Sequence, residues 1–383
     1  MNIGRRQFQI AGAAMLCASA STGFAQTQDI VIGQVASLSG TNGADLGLGL
    51  QQGILAYLNV VNARGGVGGK KLRLVSLDDR YLPDETVRLT REMIDNEKPV
   101  ALTGYRGTAN TLALVKSGLL LEKGVPLVGT LSGAAEIQGT PMVYHLRTSY
   151  PEEISQLVLQ LARLQITRIG LFFVDDAFGN SGREAFLSAA TLAKSTVVAE
   201  AAYDKAPNKI AATMALAVAK LAQAKVQAVV MIAVGDPVYT FVKAIKAEAP
   251  RLKLFSISVV NPAAVIEKVG LEAARGMGFS QVFPYPYSDG NVLAREYRAA
   301  LKKLSANAVP GYFSLEGYVY ARVLVAALQR AGKNPTPASV KAALDDFPDQ
   351  DFGGFGVRFN RSSQNASSFS DLTIISSSGK LMR

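Results

Sequence analysis

The chain has 383 residues, of which 49% are hydrophobic and 18% charged, a composition typical of compact globular domains rather than of disordered or fibrous proteins. Its 40 basic and 30 acidic residues leave ten positive charges, but the basic residues occur singly or in pairs such as Lys70-Lys71. No stretch interleaves several of them with aromatic residues, which excludes a nucleic-acid groove and favours a soluble basic surface that could attract an anionic ligand.

The first 25 residues have the layout of a cleavable signal peptide. Arg5-Arg6 precedes an apolar stretch over residues 10–20, and Gly23-Phe24-Ala25 ends the segment. The apolar stretch is about half the roughly 20 residues that a membrane-spanning helix needs, so we expect export to the periplasm, cleavage near Gln26 and no permanent anchor. The arginine pair fits a twin-arginine signal and a general secretory signal equally well.

Cysteine usage agrees with export. The only cysteine, Cys17, lies inside the predicted signal peptide, and Leu16 before it is too large for a lipid-attachment site. We therefore expect a mature chain without disulfides or a lipid anchor, held together by its core. Roughly 360 mature residues are enough for two ordinary domains.

Up to Tyr150, short β-branched runs alternate with segments of helical period, the pattern of a parallel sheet covered by helices. We predict an α/β fold made of two such units in series. The predicted elements of the first unit are strands at 30–35 and 72–77, helices at about 46–61 and 84–96, a strand at 100–103, a helix at about 110–122 and a strand at 126–129.

The pattern restarts after Tyr150-Pro151, with predicted strands at 168–174, 196–201, 228–234 and 253–258 and helices between them. The last portion differs. It predicts a strand at 277–283, two long helices at 291–304 and 311–331, and a terminal β region at 352–359 and 372–376. The two helices have no strands of their own, so they must cover the surface of an earlier unit. Pro284 and Pro286 indicate a stiff crossing between the units.

Ligands of open α/β sheets bind beyond the carboxyl ends of the strands, where helix N-termini present backbone N–H groups. Three predicted loops with small or hydroxyl residues follow such strands, at 37–45, 104–110 and 129–135. Each residue could equally be an ordinary helix cap. The three loops together favour a site for a carboxylate.

No catalytic or cofactor motif is complete. The segment 65–71 (GGVGGKK) lacks the spacing of a phosphate-binding loop and fits a glycine turn before the second strand. His145 is the only histidine and fits a buried structural role, while Asp78-Asp79 and Asp175-Asp176 follow strands, where aspartates commonly brace turns. We expect no enzyme activity, no cofactor and no metal, with an exported α/β hydrolase as the less favoured alternative.

A succession of short motifs runs through the mature chain. They are 32–40 (IGQVASLSG), 59–72 (NVVNARGGVGGKKL), 77–79 (LDD), 125–128 (VPLV), 145–148 (HLRT), 174–179 (VDDAFG) and 316–321 (EGYVYA). In this order they resemble the branched-chain amino-acid-binding (leucine/isoleucine/valine-binding) family of periplasmic solute receptors. The resemblance implies a type I periplasmic-binding-protein fold with two lobes, three interlobe crossings, a ligand in the cleft, and delivery to the membrane permease subunits of an ABC importer.

The resemblance also implies the domain boundaries. Lobe I is predicted to comprise residues 26–146 plus 284–354, and lobe II residues 147–283 plus 355–383, with crossings near 147–150, 282–286 and 354–357. We expect a monomer with no nucleic-acid partner. A ligand-sensing receptor module of the same fold remains an alternative to a transport protein.

In the family, hydroxyl and backbone donors of lobe I hold the α-carboxylate of an amino acid, and an acidic residue just after the fourth strand of lobe II holds the α-ammonium. This chain has Val259 at the second place, and Asp236, which also fits a helix cap, is the nearest substitute. An unpaired buried ammonium costs several kcal/mol. We therefore predict a small carboxylate ligand without a free α-ammonium, contacted by Arg106 and Thr108 and covered by Phe178. The full candidate set is Leu46, Tyr105, Arg106, Gly107, Thr108, Thr130, Ser132, Gly133, Tyr150, Phe178, Gly235, Asp236 and Val259.

Overall fold

The computed structural model describes residues 28–41, 43–359 and 366–383. The predicted signal peptide (residues 1–25) and the cleavage site at Gln26 lie outside this part of the chain. Within it, none of the helices combines the length and the apolar character that crossing a membrane requires.

The first sheet has five strands in the order β2-β1-β3-β4-β5, all paired in parallel. Every residue of β1 is buried, as expected of a central parallel strand covered on both faces. The elements are β1 (Ile30–Ala36), α1 (Ala44–Ala63), β2 (Leu72–Asp78), α2 (Pro83–Glu97), β3 (Ala101–Arg106), α3 (Thr108–Lys116), α4 (Leu119–Lys123), β4 (Leu127–Leu131) and β5 (Val143–Tyr144).

The second sheet begins after the first crossing and repeats the same strand order, β7-β6-β8-β9-β10, before two antiparallel edge strands, β13 and β14. Its first elements are α5 (Tyr150–Arg163), β6 (Arg168–Val174), α6 (Ala177–Leu192), β7 (Thr196–Tyr203), α7 (Ile210–Gln223), β8 (Ala228–Ile232), α8 (Asp236–Glu248), β9 (Lys253–Ser256), α9 (Pro262–Val269), α10 (Leu271–Ala274) and β10 (Gly278–Gln281).

The last part of the chain returns to the first sheet and then ends on the second. Helices α11 and α12 pack against α1, which confirms that they cover the earlier unit, and α13 packs on α12. The elements are α11 (Val292–Leu304), α12 (Tyr312–Arg330), α13 (Pro337–Asp345), β11 (Gln350–Asp351), β12 (Gly356–Val357), β13 (Asp371–Ile375) and β14 (Leu381–Met382). We call β1–β5 with α1–α4 and α11–α13 the first unit, and β6–β10, β13 and β14 with α5–α10 the second unit. The chain passes between the units three times.

Two predicted elements differ from the structure. The helix predicted at 110–122 is two helices, α3 and α4, because Gly118 between them adopts a left-handed conformation with φ 70°. The β region predicted at 352–359 is largely a turn. Its strands β11 and β12 pair only with each other, and Asp351 Oδ1 accepts the N–H groups of Gly354 and Phe355 in the turn between them.

Candidate ligand-binding cleft

The shared strand order creates a topological switch point in each sheet, between β1 and β3 in the first and between β6 and β8 in the second. Ligands of such sheets bind beyond the carboxyl ends of the strands at this point. The loops there meet across the two units. The backbone N–H of Asp236 donates to the Thr41 carbonyl (3.3 Å), and the Ser181 hydroxyl donates to a Glu136 carboxylate oxygen (3.1 Å). The units are therefore closed on each other around a cleft.

Arg106, the last residue of β3, is a buried cation at the carboxyl end of that strand, with 2% of its surface exposed. Its guanidinium carbon lies 4.4 Å from the centroid of the Tyr81 ring. A Cβ at Gly43 would lie 3.0 Å from Arg106 Nη2 and 3.3 Å from Leu46 Cδ1, so Leu46 borders the same place. Burial lowers the pKa of Arg106, and the negative charge of Asp79 opposes that shift. An arginine remains cationic under such a shift, because its usual pKa is above 12.

Hydroxyl groups from the ends of β3 and β4, the strands that pair at Arg106 and Leu131, meet each other. Thr108 Oγ1 and Ser132 Oγ are 2.8 Å apart and both side chains are buried. The Gly133 carbonyl oxygen accepts a hydrogen bond from the backbone N–H of Tyr150 (2.6 Å). The Tyr150 ring packs edge-on against the Phe178 ring, with the ring centroids 5.4 Å apart. The first turns of α3, α5 and α6 thus bring these predicted residues together.

Two predicted residues of the first unit point elsewhere. The Tyr105 side chain lies in the core, where its hydroxyl is 2.9 Å from Thr90 Oγ1 of α2. Successive residues of a strand face opposite sides, so Arg106 faces away from Tyr105. Thr130 Oγ1 is 3.0 Å from Thr111 Oγ1 of α3, also in the interior. Gly107 is the N-cap of α3 with φ 93°, a conformation that favours glycine.

The other predicted residues of the second unit, Gly235, Asp236 and Val259, follow strands β8 and β9. The interpretation of Asp236 as a helix cap is wrong. Gly235, with φ 69°, is the N-cap of α8 and makes no side-chain capping bond. Asp236 is exposed and is the first residue of the helix. Its charge still lies at the favourable end of the helix. Val259 is buried in the turn between β9 and α9.

The aspartates that follow two strands brace turns, as predicted. Asp79 accepts hydrogen bonds from Tyr81 N (2.9 Å), Thr86 Oγ1 (2.7 Å) and Asn110 Nδ2 (3.2 Å). Asp176 caps α6 by accepting two backbone N–H groups of its first turn. Sequence reasoning missed Tyr81, which lies two residues after Asp79; that closeness to the Asp78-Asp79 pair was the available signal.

A buried ionic cluster lies at the first crossing, between β5 and α5, and the sequence did not predict it. Arg147 Nη1 lies 3.6 Å from Glu316 Oε1 of α12, and Nη2 donates to the Ser258 hydroxyl of the second unit. Tyr320 donates to Glu316. Glu153 Oε1 accepts the Ser258 N–H (2.6 Å). The first crossing is therefore anchored to both units through one guanidinium.

His145 is the structural residue that the sequence predicted. It is fully buried, and its Nε2 lies 3.2 Å from the Ile137 carbonyl, to which the neutral ring donates. Burial lowers its pKa to about 4. Over residues 28–41, 43–359 and 366–383, no group of three His, Cys, Asp or Glu side chains is placed to hold a metal ion.

This histidine makes stability depend on pH. The pKa of His145 is about 4 in the folded state and about 6.5 in the unfolded chain, so between these pH values the unfolded chain binds more protons. The free energy of unfolding therefore decreases as the pH falls through this range. We expect His145 to remove about 2 kcal/mol from the free energy of unfolding at pH 5 relative to pH 8. Urea unfolding at both pH values measures this loss. His145→Gln, which keeps an N–H donor, should lose less; an equal loss in both proteins contradicts the assignment.

Comparison with known proteins agrees with this architecture. The sequence pattern of the periplasmic binding proteins matches residues 29–376. The crystal structure of a substrate-binding periplasmic protein from Ralstonia solanacearum is 34% identical, with a TM-score of 0.86 over 92% of this chain and 99% of that one. The chain belongs to the periplasmic binding protein family. The predicted family and type I fold are thereby confirmed.

Two further relatives refine the similarity within the periplasmic binding proteins. A possible leucine/isoleucine/valine-binding protein from Rhodopirellula baltica is 25% identical, with a TM-score of 0.86 over 94% of this chain and 97% of that one. An amino acid binding protein from Pseudomonas aeruginosa is 31% identical over 84 residues, which span only 22% of its length. The chain is thus similar to substrate-binding members of the periplasmic binding protein family.

Proposed function

We propose that this protein is exported, captures a small carboxylate without a free α-ammonium between its two lobes, and delivers it to the permease subunits of an ABC importer without chemical turnover. The lobes divide at residues 146/147, 283/284 and 354/355. The observation that carries the proposal is the buried Arg106 at the carboxyl end of β3, two residues before Thr108, whose hydroxyl meets that of Ser132. Arginine and hydroxyl donors together suit a carboxylate.

The choice against a plain amino acid rests on the charges of the second unit. Val259 replaces the acidic residue of amino-acid receptors, and Asp236 is exposed rather than directed into a dry site. Asp176 already caps α6 and forms an ion pair with Lys205 at 2.6 Å. An ammonium buried against this wall would lose its hydration, and Val259, Asp236 and Asp176 would not supply its counter-charge.

Calorimetry with leucine, isoleucine, valine, benzoate and hexanoate tests the proposal. We expect at least one of the two plain carboxylates to bind, and Arg106→Ala to weaken that binding at least about 30-fold, because one partner of a buried charged hydrogen bond is removed. Arg91→Ala, at an exposed ion pair with Glu122, is the matched control and should leave affinity unchanged. Micromolar leucine binding that survives Arg106→Ala would overturn the carboxylate hypothesis.

The transport role has its own test. Affinity capture from detergent-solubilised membranes, with the ligand-loaded protein as bait, should recover the permease subunits of an importer. Recovery of a signalling receptor instead would favour the sensing role. Product formation from the bound carboxylate, followed by mass spectrometry, would contradict the absence of turnover.

A further inference from the structure

Tyr81 is held in the cleft by an unusual backbone. Arg80 has φ 51° and Tyr81 has φ 64°, so two successive non-glycine residues adopt the left-handed conformation. Such residues are disfavoured singly and persist where surrounding contacts determine them. Here the Tyr81 N–H donates to Asp79 Oδ1 (2.9 Å), while Thr86 and Asn110 hold the other oxygen of that carboxylate. The strained turn presents the Tyr81 ring to the Arg106 guanidinium.

The first unit is shaped around this ring. A Cβ at Gly107 would lie 2.5 Å from Tyr81 Cε2, so a larger residue there would displace the ring. Arg106 stacks on the ring at 4.4 Å, within the range of a cation–π interaction. Tyr81 is therefore fixed in position by its own unit, and it limits where the Arg106 guanidinium can lie.

The second unit adds another cation to the same ring. Lys205, which follows β7, places Nζ 5.5 Å from the Tyr81 centroid, also within cation–π range. Lys205 is held by its ion pair with Asp176, the N-cap of α6, whose side chain accepts the Phe178 N–H. The contact therefore joins the segment of the second unit that holds Asp176 and Phe178 to the turn that carries Tyr81.

We propose that Tyr81 is a positioning residue for closure: stacked on Arg106 in the first unit, its ring receives Lys205 and fixes the two units in the arrangement in which Arg106 is buried. This proposal rests on the proposed function, because it takes closure of the two units to be the motion that captures the ligand. The contact itself is independent of which ligand is bound.

Double electron–electron resonance between spin labels on the two units measures the distance between them, which shortens when the units close. Labels at Lys116→Cys and Lys220→Cys, in a Cys17→Ser background, report the distance without interference, because the chain has no other cysteine. Spectra are recorded without ligand and with benzoate and leucine. We expect Tyr81→Leu and Lys205→Met each to lower the ratio of closed to open protein about fivefold. Tyr81→Phe keeps the ring and should retain the parent ratio.

Lys209→Met is the matched control, because Lys209 lies on the same segment and pairs with Asp204 rather than with Tyr81. Lys205 is partly exposed, so Lys205→Met carries the test if Tyr81→Leu does not fold. An unchanged ratio in Lys205→Met, or a parent protein that is open under all three conditions, overturns the proposal. Leucine binding that survives Arg106→Ala would reject the carboxylate hypothesis while leaving these distances unaffected, so the two failures are distinguishable.

Discussion

Replacing Arg147 by methionine is expected to lower the free energy of unfolding by about 3–5 kcal/mol, because it removes one partner of a buried ion pair. Arg147 is fully buried and its partner Glu316 is 2% exposed. Burial raises the pKa of Glu316, and the Arg147 charge opposes that rise. Without the guanidinium, Glu316 and the nearby Glu153 remain buried with no cation beside them. Urea unfolding followed by circular dichroism measures the loss.

The control for this prediction is Arg73→Met, which removes an exposed ion pair with Glu97 and should cost less than about 1 kcal/mol. The double variant Arg147→Met/Glu316→Leu should recover part of the loss, because it removes the orphaned carboxylate together with its partner. A loss for Arg147→Met no larger than that of Arg73→Met would show that the cluster does not hold the crossing.

The architecture could be predicted from the sequence because its signals are local and periodic. Strand β1 is apolar except for Gln34 because both faces of a central parallel strand are covered, and the helices between strands show their own period. The failures are also local. Gly118 divides one predicted helix by its left-handed backbone, and the turn at Asp351 replaces a predicted strand. Propensity alone could not show which backbone conformation each residue adopts.

The candidate site could be predicted only in part. The loops after β1, β3 and β4 follow from the rule that ligands bind at the carboxyl ends of parallel strands. The alternation that turns Tyr105 into the core and Arg106 into the cleft depends on the register of β3, which the sequence left open. The pairs Tyr81–Lys205 and Arg147–Glu316 join residues far apart in the chain. No local pattern signals such contacts.

Gly53→Ala is expected to cost about 3 kcal/mol or more, because helices α1 and α12 meet there backbone to backbone. A Cβ at Gly53 would lie 1.8 Å from the Ser314 carbonyl oxygen and 2.7 Å from Tyr318 N. A Cβ at Gly317, on the facing helix, would lie 2.1 Å from the Leu50 carbonyl oxygen. Neither overlap can be relieved by a side-chain rotation, so the helices must separate. Urea unfolding measures the cost.

The separation should also reach the cleft, because α1 begins beside Arg106 with Leu46 and α12 carries Glu316. Gly53→Ala is therefore expected to weaken binding of the Arg106-dependent carboxylate as well as stability. Gly290→Ala is the control: a Cβ there meets only Ser288 Oγ at 3.9 Å, and the change should stay within about 0.5 kcal/mol of the parent. If Gly53→Ala were as stable as Gly290→Ala, the two helices would have to pack less closely than the structure shows, and the place of Glu316 beside Arg147 would no longer depend on their contact.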